Sequence, residues 1–190
     1  MLRISKINPY CSDHQNLLFD DLHAFKLDVY KRYYPTAQEW YVRNYIPAVY
    51  EGSKGGFVVF DDDQVIGFSF LKYTTNQKSK VCSFFVLPEY NQTGVGSELM
   101  RASLEDLSFR GNADVVLTVP QEKIVGGKDQ GRFSRLLTKF DFALADIAHN
   151  RYRRSKSEFI FIRSNSTYQP KGFHWLDNQK SQTILTSLET

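Results

Sequence analysis

Two glycines one residue apart, Gly94 and Gly96, mark the stretch with the clearest chemistry. They lie in PEYNQTGVGSELM, residues 88–100. Glycine lets a backbone turn so that successive N–H groups point inward. Where a helix begins at such a turn, its first amides have no intrahelical acceptor. Those amides and the helix dipole together favour an anion, above all a phosphate. Two well-known phosphate loops do not fit. A Walker loop needs Gly-Lys-Ser/Thr, but Ser97 follows Gly96, and Gly127-Lys128 is followed by Asp129. A dinucleotide fingerprint needs a third glycine where Leu99 stands and a strand running straight into the first glycine, but PEYNQT intervenes.

The elements that must position this loop are legible on either side. Val81 to Leu87, VCSFFVL, is apolar, β-branched and aromatic, and predicts a buried strand. Pro88 has no amide hydrogen and ends it. Ser97 to Arg110 predicts a helix, with Leu99, Leu104 and Leu107 at helical spacing and Gly111 just past its end. Strand, proline, loop and helix therefore follow in the order an anion cradle requires.

The remaining elements follow from patterning. Leu2 to Ile7 alternates and predicts a half-buried strand. A first helix, capped by Ser12 or Asp13, runs to about Tyr33, with Leu18, Leu22, Phe25 and Val29 on one face. Thr36 to Glu39 is a capping-box pattern that starts a second helix carrying Trp40 and Tyr41, and Pro47 disfavours its continuation. Gly52 to Gly56 predicts a linker turn. Phe57–Phe60 and Val65–Tyr73 predict a hairpin with Asp61-Asp62-Asp63 at its tip, and Thr74 to Lys80 a polar turn. Asp114 to Val119 predicts a central strand, Gln121 to Gly131 a polar loop, and Arg132 to Phe140 a short helix. Phe142–Ala148 and Glu158–Arg163 predict the last two strands.

The motif and this order of elements resemble the GNAT superfamily of acyl-CoA-dependent N-acyltransferases. The family pattern is Gln/Arg-x-x-Gly-x-Gly/Ala. Gly94 and Gly96 match it, and Asn91 stands where the family has Gln or Arg. The resemblance implies an α/β (α+β) fold: a central mixed, largely antiparallel twisted sheet of about seven strands flanked by about four helices. The expected domain is 1–163, followed by a polar tail, 164–190. The resemblance also implies acetyl-CoA as co-substrate, in a cleft where the fourth and fifth strands splay apart. Backbone groups around Phe84, Phe85 and Val86 would pair with the pantetheine arm. The stretch Asn91, Gln92, Thr93, Gly94, Val95, Gly96 and Ser97 would hold the pyrophosphate. An amide near Val86 would polarise the thioester carbonyl for direct attack by an amine.

Many family members use a Glu on the fourth or fifth strand as base and a Tyr before a Gly-Phe pair as acid. Here Ser83, Thr118 and Leu137 occupy those places. The substitutes are Glu122 after the fifth strand, and Tyr152 and Glu158 beside the last hairpin, with Tyr152 preferred as acid. Tyr33, Tyr34, Trp40 and Tyr41, with Tyr30, cluster around the inter-helix turn. They are either a helix contact or an aromatic wall for the acceptor. Arg151, Arg153 and Arg154 form a basic knot that is either a solvated hairpin tip or a contact for nucleic acid.

Composition bounds the rest. The 190 residues are 42% hydrophobic and 24% charged, with a net charge of +3, as expected of one soluble domain. The aromatic content is 15%, with 11 Tyr and 15 Phe. No apolar run approaches a membrane span, and MLRISKINPY lacks the apolar core of a signal peptide, so a cytoplasmic address without membrane contact is expected. Cys11 and Cys82 are the two cysteines, too few for a disulfide scaffold. His14, His23, His149 and His174 show no ligand spacing, so no metal is expected. The resulting expectation is an N-acetyltransferase acting on a primary amine of a protein, small molecule or aminoacylated RNA, possible also as a homodimer. The alternative is a catalytically weak module of the same fold that binds acyl-CoA or nucleic acid.

Overall fold

In the computed structural model, residues 1–22, 33–74, 78–110, 114–125, 131–150 and 156–164 are described. The latter part of the expected first helix with Tyr30, the knot of Arg151, Tyr152, Arg153 and Arg154, and the tail beyond Ser164 lie outside them.

Seven strands form one sheet. They are β1 (Leu2–Lys6), β2 (Lys54–Asp61), β3 (Gln64–Lys72), β4 (Lys78–Val86), β5 (Asp114–Pro120), β6 (Ala143–His149) and β7 (Ser157–Ser164). Their spatial order is β1-β2-β3-β4-β5-β7-β6. Every neighbouring pair is antiparallel except β4 with β5, which is parallel. A parallel pair needs a crossover, and the helix after the glycine loop supplies it.

Five helices flank the sheet among the described residues, one more than expected. The first, α1, is Ser12–Asn16 continued by a π-helical turn, Leu17–Asp21. The second, α2, joins Ala37–Trp40, a π-helical turn Tyr41–Tyr45, and Ile46–Tyr50. The others are α3 (Val95–Phe109), α4 (Gln121–Ile124) and α5 (Arg132–Lys139). None of the helices described is long and apolar enough to cross a membrane.

The core has two layers. Leu17 and Leu18 of α1, Leu22 just past its end, and Tyr41, Tyr45 and Ile46 of α2 pack on Val58, Phe68 and Phe70. On the opposite face, Met100, Leu104 and Leu107 of α3 and Leu137 of α5 pack on Leu71, Val81, Val115 and Leu117. Val95 and Leu99 complete that face with Val59 and Ile66. Part of the aromatic content is a stack in the first layer. Ring centroids of Tyr41 and Tyr45 are 5.4 Å apart, Tyr45 and Phe70 4.1 Å, and Phe68 and Phe70 4.6 Å.

Several boundaries differ from expectation. The second helix runs through Pro47, which lies at the start of its last segment. The preceding π turn is a place where helices accommodate such irregularity. Thr36 makes no side-chain cap, so the capping box does not form. The expected linker turn at Gly55 and Gly56 is strand, because β2 pairs with β3 from Lys54↔Lys72 onward. β4 begins at Lys78, inside the expected turn, and Gln121–Ile124 is helical rather than loop. β1 is an edge strand, and its Leu2 and Ile4 are exposed rather than half-buried.

Candidate active site

The site begins where two paired strands part. β4 and β5 are in register from Lys78↔Asp114 to Val81↔Leu117 and no further. Beyond that point β4 continues to Val86 and β5 to Pro120. The divergence coincides with an irregularity on the other side of β4. Phe70 pairs with Ser83 and Leu71 with Val81, which leaves Cys82 as an extra residue in β4. Such a bulge bends its strand, increases its twist and changes which side chains face each way. Phe84 therefore packs with the α3/α5 layer, while Cys82 and Phe85 pack with the α1/α2 layer.

The opening holds a cavity of about 390 Å³. Its two walls are Val81–Val86 and Leu117–Pro120. One end is the glycine loop. Asn91, Gln92, Gly94, Gly96 and Ser97 line it. The loop is built by a 3-10 turn, Pro88–Tyr90, and by left-handed backbone at Gln92 (φ 67°) and Gly94 (φ 94°). Gly94 caps α3, whose first amides, those of Val95, Gly96 and Ser97, have no intrahelical acceptor by helix geometry. Tyr90 anchors the turn by donating a hydrogen bond to Asp61 Oδ2 at 2.9 Å. That bond, followed by the chain's N-terminal ammonium, holds the Asp61 carboxyl below its usual range.

The two glycines serve different ends. Gly94 supplies a backbone conformation that side chains resist. Gly96 is not required by the protein's own packing. A Cβ there would meet Val86 Cγ2 at 3.9 Å and Leu136 Cδ2 at 4.0 Å, ordinary contacts. Its bareness leaves open space at the cavity floor, beside the free amides, which suits close approach of a pyrophosphate. The cations of α5 fit the same group. Arg132, Arg135 and Lys139 line the cavity, and Lys139 Nζ donates to Ser97 Oγ at 3.0 Å. None of the described lining residues is acidic. Sequence reasoning missed this basic wall. Its signal was the i, i+3, i+7 spacing of the three cations on a helix read only for its apolar face.

Of the ten residues expected at the cofactor, eight line the cavity: Phe84, Phe85, Val86, Asn91, Gln92, Gly94, Gly96 and Ser97. Thr93 turns back, its hydroxyl donating to the Tyr90 carbonyl at 2.7 Å, and Val95 is buried in the core.

Of the aromatic residues expected at the acceptor, Tyr33 and Tyr34 line the cavity. Trp40 and Tyr41 do not. Tyr41 is fully buried and donates to the Leu18 carbonyl at 2.8 Å, and burial pushes its phenol pKa up. Trp40 stacks on Tyr45 with centroids 5.8 Å apart. Tyr41 is a core residue of α2, and Trp40 is partly buried against the same core.

The proton-transfer candidates separate as well. Glu122 stands on α4 and pairs with Lys156 Nζ at 3.0 Å. Glu158 is buried on β7 and accepts a hydrogen bond from the Tyr34 hydroxyl at 3.1 Å. Tyr152 lies outside the described residues. Among the described residues, no group of three or more His, Cys, Asp or Glu side chains is placed to hold a metal ion.

The fold and the loop define the class, and comparison with known proteins agrees. The model of the acetyltransferase (GNAT) family matches residues 16–123, more than half the chain. The chain belongs to the GNAT acetyltransferase family. No curated protein sequence matches it. Solved structures share the fold at low identity. The ribosomal-protein-S18-alanine N-acetyltransferase of Escherichia coli is similar with TM-score 0.65 and 17% identity, over 90% of this chain and 98% of that one. The aminoglycoside 6'-N-acetyltransferase of Enterococcus faecium has TM-score 0.65 and 12% identity, over 88% and 99%. The PaiA N-acetyltransferase of Thermoplasma acidophilum, solved in complex with coenzyme A, has TM-score 0.60 and 20% identity, over 86% and 99%.

Proposed function

We propose that the protein is an N-acetyltransferase that moves an acetyl group from acetyl-CoA to a primary amine by direct attack. The observation that carries this reading is the continuity of one cavity. An amide-rich, cation-walled loop, two diverging strands and a pair of tyrosines all line it. The loop and the α5 cations suit the pyrophosphate and 3'-phosphate. The stretch where β4 and β5 have parted suits a pantetheine arm. The two tyrosines suit the acceptor. An amide at the Val86 end of β4 is the donor assigned to polarise the thioester carbonyl.

Relatives of the same fold are named for a ribosomal-protein alanine and for aminoglycosides. They have an N-acetyl product in common, so an amine acceptor is the reading carried to this chain, whether on a protein, a small molecule or an aminoacylated RNA. Tyr152 stays a proposed acid, and Arg151, Arg153 and Arg154 a proposed nucleic-acid contact.

A second reading has one specific observation in its favour. Ser83 and Thr118 occupy the strand positions where a carboxylate base is expected, which suits a weak or non-catalytic acyl-CoA-binding module. Calorimetry with acetyl-CoA, followed by free-thiol release over a panel of primary amines, separates the two. Binding with amine-dependent release is the expected result. Binding without release for any amine supports the module, and absence of binding rejects both.

A further inference from the structure

The carboxylate missing from β4 and β5 reappears one strand away. Val115, Leu117 and Val119 face the α3/α5 layer. Strand alternation then sends Thr118 and Pro120, which line the cavity, to the opposite face. Cross-strand partners share a face. Thr118 pairs with Ile160 and Pro120 with Glu158, so Glu158 stands on that same face, at the end where β5 has left β4. Phe161, of opposite parity on β7, packs with the α3/α5 layer as this requires. Glu158 is only 4% exposed. Its carboxylate meets the cavity through Tyr34, which lines the cavity and donates to Glu158 Oε2 at 3.1 Å. A buried carboxylate joined to the cavity by a phenol is an arrangement for moving a proton, since the phenol can accept at its oxygen while giving up its own hydrogen.

We infer that Tyr34 and Glu158 together take the proton from the acceptor's ammonium group, with Tyr34 as the catalytic residue and Glu158 as the group behind it that receives the charge. The inference rests on the transferase reading of the cavity. The amine arrives as R–NH3⁺. One N–H proton passes to Tyr34 Oη while the phenol's own proton passes to Glu158 Oε2. The freed nitrogen lone pair forms a C–N bond with the thioester carbonyl carbon, and the C–S bond then breaks with its electron pair on sulfur. A second nitrogen proton goes to the departing thiolate, giving the amide and CoA-SH. Glu158 returns its proton to solvent through Tyr34. Among the described residues, charged groups on the adjoining segments include Lys123, whose ammonium lies 5.0 Å over the Tyr33 ring, and the Lys156–Glu122 ion pair. A cation at this end favours loss of the ammonium proton once the amine is seated.

The test measures thiol release from acetyl-CoA against pH, using the most active primary amine of the panel, for the wild type, Tyr34→Phe and Glu158→Gln. Affinity for acetyl-CoA is measured alongside and is expected to stay within about twofold, which also reports that each variant is folded. At neutral pH both variants are expected to lose roughly a hundredfold in kcat/KM. Their rates should then climb tenfold per pH unit toward the amine's own pKa, because a free amine needs no base. A purely structural role would lower the rate without that slope. Variants that bind acetyl-CoA and keep the wild-type rate and pH profile overturn the inference and leave the transferase reading intact. A wild type that binds acetyl-CoA but releases no thiol with any amine overturns both. A Glu158→Gln that loses acetyl-CoA binding marks Glu158 as structural and overturns its part, and Tyr34→Phe then decides the phenol's.

Discussion

Gly96 is the position where function and packing can be separated most cleanly. A methyl group at this site meets only Val86 and Leu136, at 3.9 and 4.0 Å. Gly96 is the second residue of α3, where alanine is the better helix former by up to about 1 kcal/mol. Gly96→Ala should therefore leave the melting temperature unchanged or raise it by a few degrees. The same methyl occupies the bare floor beside the amides of the first turn, so affinity for CoA should fall. Gly96→Glu adds a negative charge. At about 5 Å from a phosphate charge and an effective dielectric of about 20, the repulsion is roughly 3 kcal/mol. That corresponds to more than a hundredfold weaker binding. Gly94→Ala is the contrast. Its φ of 94° makes any side chain strained, so stability should fall there. Calorimetry with CoA and thermal melts on all three variants check this. A folded Gly96→Glu that binds CoA within threefold of the wild type would refute the assignment of the loop.

Two further outcomes follow from the cation wall and the aromatic core. The double variant Arg132→Ala and Arg135→Ala should weaken CoA by about tenfold or more and flatten the dependence of binding on salt, since surface charge contacts are screened; titration at low and high salt measures it. Tyr41→Phe removes the buried hydrogen bond to the Leu18 carbonyl and should cost about 0.5–1.5 kcal/mol of stability by urea unfolding, with CoA affinity unchanged. A loss of affinity without loss of stability would return Tyr41 to the binding site.

The sheet was legible where side-chain pattern alone decides structure. VCSFFVL and DVVLTV read as buried strands because both faces of the sheet are covered, and the Gly94–Gly96 loop read as an anion cradle because glycine spacing reports backbone conformation directly. Tertiary contacts hid the rest. Gly55 and Gly56 look like a turn, yet β3 pairs with them. Pro47 looks like a stop, yet a π turn precedes it in α2. Trp40 and Tyr41 looked like a substrate wall as readily as a core, and only the stack with Tyr45 and Phe70 decides between these. Glu158 was visible as a candidate. Its partner Tyr34 is 124 residues away, a pairing that no local pattern encodes.

A crystal structure of the protein with acetyl-CoA tests the assignment of the cavity most directly. The pyrophosphate is expected within hydrogen-bond distance of the Val95, Gly96 and Ser97 amides, with Arg132 or Arg135 on a phosphate. The pantetheine should lie between β4 and β5, and the acetyl group should point toward Tyr34. Acetyl-CoA bound away from the β4–β5 opening, or with its pyrophosphate off the Gly94–Ser97 loop, would contradict it.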